Sequence, residues 1–249
     1  MNTYTTLLNN LEQLNLTQIK ENIDTYIDLI TSGEKTVVDA LNELIKLEIQ
    51  LKEEKAINAC VKVANFPFLK TFDNFDFSFQ PTITQDKIRD LSTLRFLEKK
   101  ENILFSGNSG VGKSHLSVSI GIAAAKKRNS TYFINCHDLL LNLKRAHLEN
   151  RLETRLKHYA KYKILIIDEI NYLPISKEEA NMFFQLINKR YEKASTIITT
   201  NKEFSKWHEI FGDTTIANAI LDRLLHHSTI VKITGRSYRT KDKIATNSK

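Results

Sequence analysis

Gly107-Asn108-Ser109-Gly110-Val111-Gly112-Lys113-Ser114 satisfies the pattern G-x-x-x-x-G-K-[ST] at every fixed position. The apolar run Asn102 to Phe105 before it reads as a buried strand. His115 to Lys127 after it, apolar and rich in alanine, reads as a helix. Strand, glycine loop and helix form the context in which this pattern holds phosphate. Glycines let successive backbone N–H groups point inward as an anion cradle, and the helix N-terminus adds partial positive charge. Lys113 would reach the outer phosphates, and Ser114 would place its hydroxyl on Mg²⁺. The expected ligands are ATP and Mg²⁺, with residues 107–115, His115 included, as the cradle. A loop that merely joins a strand to a helix does not account for the Lys-Ser ending.

Downstream, strands and helices alternate as in a parallel α/β sheet. Thr131-Tyr132-Phe133-Ile134, Ile164-Leu165-Ile166-Ile167, Thr196-Ile197-Ile198-Thr199 and Thr229-Ile230-Val231-Lys232-Ile233 follow the first strand, which predicts five strands. The third is wholly apolar and is expected to be central. A capping box, Ser176 with Glu179, opens a helix predicted over 176–193. Residues 83–99 read as one helix leading into the first strand. Before them, residues 64–80 crowd Phe66, Phe68, Phe72, Phe75, Phe77 and Phe79 around the helix-breaking Pro67. Two readings stay open for these rings: a surface for the adenine base, or an anchor pinning a linker to the core.

The third strand ends in Asp168-Glu169, and an acidic residue at that end of a central strand lies beside the phosphate loop in doubly wound folds. Asp168 is the candidate to hold Mg²⁺, directly or through a water, and Glu169 to polarise the attacking water. The alternative is that the pair caps the following turn. The fourth strand runs into Thr200-Asn201, where Asn201 would orient that water, cap the segment from Lys202, or do both. Arg223 sits beside Asp222, which would pair with it in the free protein. If copies assemble, Arg223 would reach a neighbour's nucleotide as an arginine finger. In Gly235-Arg236-Ser237-Tyr238-Arg239, Arg239, and behind it Arg236, is a candidate nucleotide contact in cis; a solvated basic tail is the competing account. His226 and His227 have no carboxylate or cysteine at ligand spacing, which speaks against a metal site.

The 249 residues carry a net charge of +7, unevenly spread. Residues 1–66 hold 6 Lys/Arg against 10 Asp/Glu, and residues 67–249 hold 30 against 19. A basic nucleotide-binding core suggests a polyanionic partner, with a solvated lysine-rich surface as the bland alternative. Between the second and third strands, Lys144, Arg145, Arg151, Arg155, Lys157 and Lys161 are the candidate DNA-backbone contacts. Only Tyr159 and Tyr162 offer stacking surfaces there, which favours a duplex over a single strand. The two cysteines, Cys60 and Cys136, have no metal-ligand spacing. No segment is apolar for the length of a bilayer span, and the N-terminus lacks a basic leader. A reduced, cytoplasmic protein away from membranes is expected.

Residues 1–66 read as a small all-helical unit. Leu7, Leu8, Leu11 and Leu14 form one stripe, and Ile19, Ile23, Ile27 and Ile30 another. Gly33 marks a helix stop and Thr36 a cap for a helix with apolar Val37, Leu41, Leu44, Ile45 and Leu51. These stripes are expected to be the unit's own core. The expected organisation is a helical domain over 1–66, a linker and lead-in helix over 67–101 and an α/β domain over 102–249.

Together, GNSGVGKSHL (107–116), LIIDEINYLP (165–174), FFQLINKRYEKASTIITTN (183–201), FGD (211–213), AILDRLLHHS (219–228) and GRSYR (235–239) resemble the IstB-like ATPases. These are helper proteins of insertion-sequence transposition in the AAA+ class, related to the DnaC/DnaI helicase loaders. The resemblance covers nearly the whole chain and departs at Asn171, where the family usually has Gly. It implies an AAA+ P-loop core and an ATPase with Lys113 and Ser114 in the phosphate site. It also implies Asp168 and Glu169 as metal and water residues, Asn201 as sensor, Arg223 as a finger in trans and Arg239 as a second sensor. It further implies ATP-dependent self-assembly on DNA, bending of that DNA and stimulation of a partner transposase.

Overall fold

The computed structural model describes residues 2–170 and 175–240. The Asn171-Tyr172-Leu173-Pro174 stretch lies outside the described residues. The backbone divides into two compact units, Met1–Ala59 and Cys60–Lys249.

The first unit holds α1 (Thr3–Gln13), α2 (Thr17–Thr31) and most of α3 (Val37–Val63). Gly33, at φ +77°, ends the second helix, and Thr36 Oγ1 accepts the N–H of Asp39 at 3.2 Å to start the third. The N-terminus of α2 has no side-chain cap of its own. The buried Glu48 of α3 replaces it: its Oε2 accepts the N–H groups of Gln18 at 2.8 Å and Ile19 at 3.4 Å. The expected core forms only in part. Leu11, Ala40 and Leu44 are buried, whereas Val37, Leu41 and Ile45 are about half exposed. A unit this small cannot cover both sides of so long a helix.

In the second unit, β1 (Asn102–Gly107), β2 (Thr131–Asn135), β3 (Ile164–Ile170), β4 (Ser195–Thr200) and β5 (Ser228–Ile233) form one sheet in the order β2-β3-β4-β1-β5. All pairings are parallel, so the five-stranded parallel sheet expected from the sequence is present. The third strand is interior, but the middle place belongs to β4. Strand side chains alternate between two cores. Ile103, Phe105, Ile166 and Ile197 face α4 (Gln85–Thr93) and α5 (Lys113–Lys126). Leu104, Leu165, Ile167 and Ile198 face the other layer, which comprises α6 (Cys136–Leu148), α7 (Leu152–Ala160), α8 (Lys177–Arg190), α9 (His208–Phe211) and α10 (Thr214–His226).

The capping box predicted at Ser176 is present, with Glu179 N–H on Ser176 Oγ and Glu179 Oε2 on Ser176 N–H. The single helix expected over 83–99 is broken. Thr84 caps α4, and Leu94 turns into the left-handed region at φ +70°. A 3₁₀ turn, Arg95–Leu97, follows. The hydroxyls of Ser92 and Thr93 bond back to the carbonyls of Arg89 and Asp90, competing with the helix, and the turn lets Leu94 and Phe96 both reach the core. Among the described residues no helix is long and apolar enough to cross a membrane.

Candidate active site

Parallel strands bring the C-terminal ends of β1, β3 and β4 to one edge. There the loop after β1 makes two turns that exclude side chains. A Cβ on Gly107 (φ +151°) would lie 2.1 Å from the Ile233 carbonyl oxygen, and one on Gly110 (φ +78°) 2.1 Å from Ser237 Oγ. The loop delivers Lys113 to the first turn of α5. Its ammonium donates to the carbonyls of Gly107 and Asn108, both at 2.8 Å. Burial pushes the Lys113 pKa down, and the Asp168 and Glu169 carboxylates oppose this.

Asp168 is 6% exposed. Ser114 Oγ donates to both its oxygens, at 2.8 and 2.9 Å, and Thr199 Oγ1 to Oδ1 at 2.6 Å. Burial raises its pKa, and the Thr199 and Ser114 hydroxyls pull it partly back. A hydroxyl and a carboxylate side by side are the hard oxygen donors that Mg²⁺ takes, so these residues fit that ion. Glu169 occupies a left-handed position, φ +60°, where the β3–β4 register shifts between Ile167 and Ile170. Thr199 Oγ1 accepts its N–H at 2.9 Å, and Asn135 Nδ2 donates to its Oε2 at 3.2 Å. The sequence reading passed over Thr199 and Asn135. Their signal was faint: a polar residue at the C-terminal end of a strand.

A cavity of about 210 Å³ opens beside the loop. Gly110, Lys113, Glu169, Asn201 and Arg239 line it together with Phe68, Phe75, Gln80 and Tyr238. The phenylalanine segment anchors to the core through Phe68 and Phe75, and the same two rings also line the cavity. His115 Nε2 bonds the Thr71 carbonyl at 2.9 Å, so that nitrogen carries the proton. Burial lowers its pKa, and the bond to the Thr71 carbonyl opposes this. The segment after β5 folds over the loop. Tyr238 N–H donates to the Gly110 carbonyl at 2.9 Å, and Gln80 Nε2 to that of Arg236 at 2.9 Å. The N–H of Lys202 donates to Thr200 Oγ1 at 3.1 Å, and the 3₁₀ turn that follows, Phe204–Lys206, has Glu203 and not Asn201 at its cap position.

Other candidates lie apart from this cavity. Arg223 on α10 donates to Asn188 Oδ1 (2.9 Å) and the Ala219 carbonyl (3.0 Å), and stands 4.7 Å from the Phe184 ring centre. These, not Asp222, are its partners. His226 and His227 do find a carboxylate: Glu192, 34 residues upstream of His226, approaches to 3.8 and 3.7 Å on the exposed surface. Of the candidate DNA contacts, Lys144, Arg151 and Lys157 pair with Glu179, Glu149 and Glu153. Arg155 lies over Tyr159. Arg145 lines a second hollow beside Asp168 and Glu169, and Lys161 sits in the turn before β3.

The profile of a family described as IstB-like ATP binding protein matches residues 9–246. The ATP-binding protein of insertion sequence IS232 from Bacillus thuringiensis subsp. berliner is 58% identical, over 97% of this chain and 96% of its own length. That of IS21 from Pseudomonas aeruginosa is 40% identical, over 94% and 88%. Among solved structures, the DnaC helicase loader superposes with a TM-score of 0.51 at 25% identity, over 59% of this chain and 86% of that one. AMPPCP-bound DnaA from Aquifex aeolicus gives 0.55 at 16% identity, over 73% and 56%. The fold is the AAA+ P-loop fold.

Proposed function

The chain belongs to the IstB-like ATP-binding family, and on that premise we propose that it hydrolyses ATP as a helper protein that assembles on duplex DNA, remodels it and stimulates a cognate transposase. The observation that carries this reading is the convergence of Lys113, Ser114, Asp168 and Glu169 at one edge of the sheet. Lys113 exchanges the carbonyls of Gly107 and Asn108 for the outer phosphates of ATP. Ser114 and Asp168 would hold Mg²⁺, which neutralises charge on the phosphate oxygens. Glu169 is held by Asn135 through one oxygen, leaving the other to accept a proton from the attacking water. Asn201 lines the same cavity and orients that water; Arg239 meets the phosphates in cis. The products are ADP and phosphate. Arg223 stands outside the cavity, which suits a finger acting on a neighbouring copy and hence a self-assembling protein.

The DNA part rests on the basic charge of residues 67–249, and the transposase part on relatives named for insertion sequences. Duplex DNA is expected to raise the ATPase rate, with binding that weakens steeply as salt rises. A rate indifferent to duplex DNA sinks the reading. Likeness to the DnaC helicase loader favours one alternative, a loader acting on single-stranded DNA. Capture of the replicative helicase in place of the transposase would select it. A second alternative is an ATP-held scaffold with little turnover. Glu169→Gln separates the two: a hydrolase becomes trapped as an ATP-bound assembly, whereas a scaffold is unchanged.

A further inference from the structure

Because all five strands are parallel, the turns that feed β1 to β4 gather at the edge opposite the ATP cavity. The seven residues of β3 put roughly 20 Å between the two edges. Segments 98–101, 126–130, 161–163 and 192–194 hold eight Lys/Arg against three Glu. Lys100, Lys127, Lys163 and Lys193, one from each turn, line a single open hollow of about 300 Å³, with Glu98 as its carboxylate. Among the described residues, none of these four lysines has a carboxylate within 4.0 Å; the lysines that do are elsewhere. Lys163 Nζ donates to Asn129 Oδ1 at 3.1 Å and Lys127 Nζ to the Thr93 carbonyl at 3.5 Å, both neutral acceptors that leave the charge uncancelled.

The turns are held firmly. Lys163 N–H donates to Ser130 Oγ, and the Lys163 carbonyl accepts from Ser195 N–H, each at 3.1 Å. Beneath them the fully buried Arg190 donates to the carbonyls of Tyr159, Ala160 and Tyr162 at 2.8–3.2 Å and to that of Ser195 at 2.5 Å. Helix C-termini end here and favour a cation by about 0.3–1 kcal/mol each. That explains single lysines. It does not explain four around one hollow, where mutual repulsion opposes them. Of the six candidate cations on and around α6 and α7, by contrast, Lys144, Arg151 and Lys157 are paired with Glu179, Glu149 and Glu153.

We propose that this edge is a phosphodiester-binding face, on which Lys100, Lys127, Lys163 and Lys193 take phosphates of a duplex backbone. The inference deepens the DNA-binding reading above and rests on it. Contacts of this kind position DNA without reading its sequence.

The test titrates the full chain, saturated with ATP, against a labelled duplex of about 30 base pairs across about 50–250 mM salt. One variant carries Lys100→Gln, Lys127→Gln, Lys163→Gln and Lys193→Gln together; another carries Arg155→Gln and Lys157→Gln. A fluorescent ATP analogue checks that both are folded. At about 0.9 in the log–log salt slope per phosphate contact, the fourfold variant is expected to be shallower by about 3–4 and to bind at least tenfold more weakly at about 100 mM salt. The α7 pair is expected to stay within threefold of the parent. If the fourfold variant keeps the parental slope while the α7 pair loses it, the face is wrong and the DNA reading survives. If the parent binds no duplex at the lowest salt, the DNA reading falls and takes this inference with it. If the fourfold variant changes the oligomer mass but not the duplex affinity, the edge meets another copy's acidic residues, and the proposal is overturned.

Discussion

Replacing Asp168 with Asn removes one negative charge and need not break a hydrogen bond. Thr199 Oγ1 and Ser114 Oγ both reach Oδ1, at 2.6 and 2.8 Å, and a carboxamide oxygen accepts two bonds. The carboxylate is 6% exposed, and the cation that should offset it, Lys113, is bonded to the Gly107 and Asn108 carbonyls. Burial therefore raises the Asp168 pKa above its unfolded value. The sign follows: the stability contribution is fully present below the unfolded pKa and lost as pH rises through the raised folded one. Asn carries no such penalty at any pH. Relief at neutral pH is expected to be about 1 kcal/mol, within the range of stabilising replacements at functional sites. That corresponds to about 2–4 °C in Tm for a unit of this size. The assay is thermal unfolding of both proteins in EDTA, without nucleotide, from about pH 4 to pH 8. The two Tm curves should converge near about pH 4 and separate as pH rises, the variant on top. If Asp168 holds Mg²⁺ as proposed, the same variant should lose at least about 100-fold in ATP turnover. A variant less stable than the parent at neutral pH, or a gap that does not change with pH, would refute the claim that Asp168 holds an uncompensated charge.

Lys113→Ala is expected to abolish ATP binding, measured by equilibrium titration, with little change in Tm, since its ammonium bonds only loop carbonyls. Arg223→Ala should leave ATP affinity of the isolated subunit intact and cut turnover of the assembly by about 10³ or more. Monomer affinity falling as far as in Lys113→Ala would show the residue acting in cis. Arg190→Met should lower Tm by roughly 6–12 °C, because it removes a guanidinium bonded to four carbonyls and Thr196 Oγ1 and costs about 3 kcal/mol. A loss below about 1 kcal/mol in urea unfolding would mean that water replaces those bonds.

What could be read from the sequence were features whose causes are local. The glycines and Lys-Ser of 107–114 state their own geometry, and the apolar runs of β1, β3 and β4 state their burial. Asp168 and Glu169 stand out because they end such a run. Thr199 and Asn135 did not, because their importance depends on which strands are neighbours. Thr199 meets Asp168 only because β4 pairs with β3, and Asn135 meets Glu169 only because β2 lies on its other side. Strand order is set by crossovers that leave no mark on either residue. Glu192 was missed as partner of His226 and His227 for the same reason. Lys100, Lys127, Lys163 and Lys193 stand far apart in the sequence, and only the parallel topology collects their turns at one edge. The α3 stripe failed differently: its periodicity was right, but the unit is too small to bury it.

Side chains assigned to the reaction are already bonded within their own chain. Lys113 holds two carbonyls, Ser114 holds Asp168, Asn135 holds Glu169, and Asn188 holds Arg223. Nucleotide binding therefore mostly exchanges hydrogen bonds, and such exchanges are worth only about 1 kcal/mol each. The larger gain must come from charge. In the free chain, burial pushes Lys113 and Asp168 toward neutrality from opposite sides, yet the two do not pair. A bound triphosphate would set an anion beside Lys113 and its cation would set a positive charge beside Asp168, so one ligand would relieve two desolvation penalties that the attraction between these residues offsets only in part. It follows that magnesium-bound ATP should stabilise the chain more than metal-free ATP does, and that Asp168→Asn should erase most of that difference while leaving the Lys113 half intact.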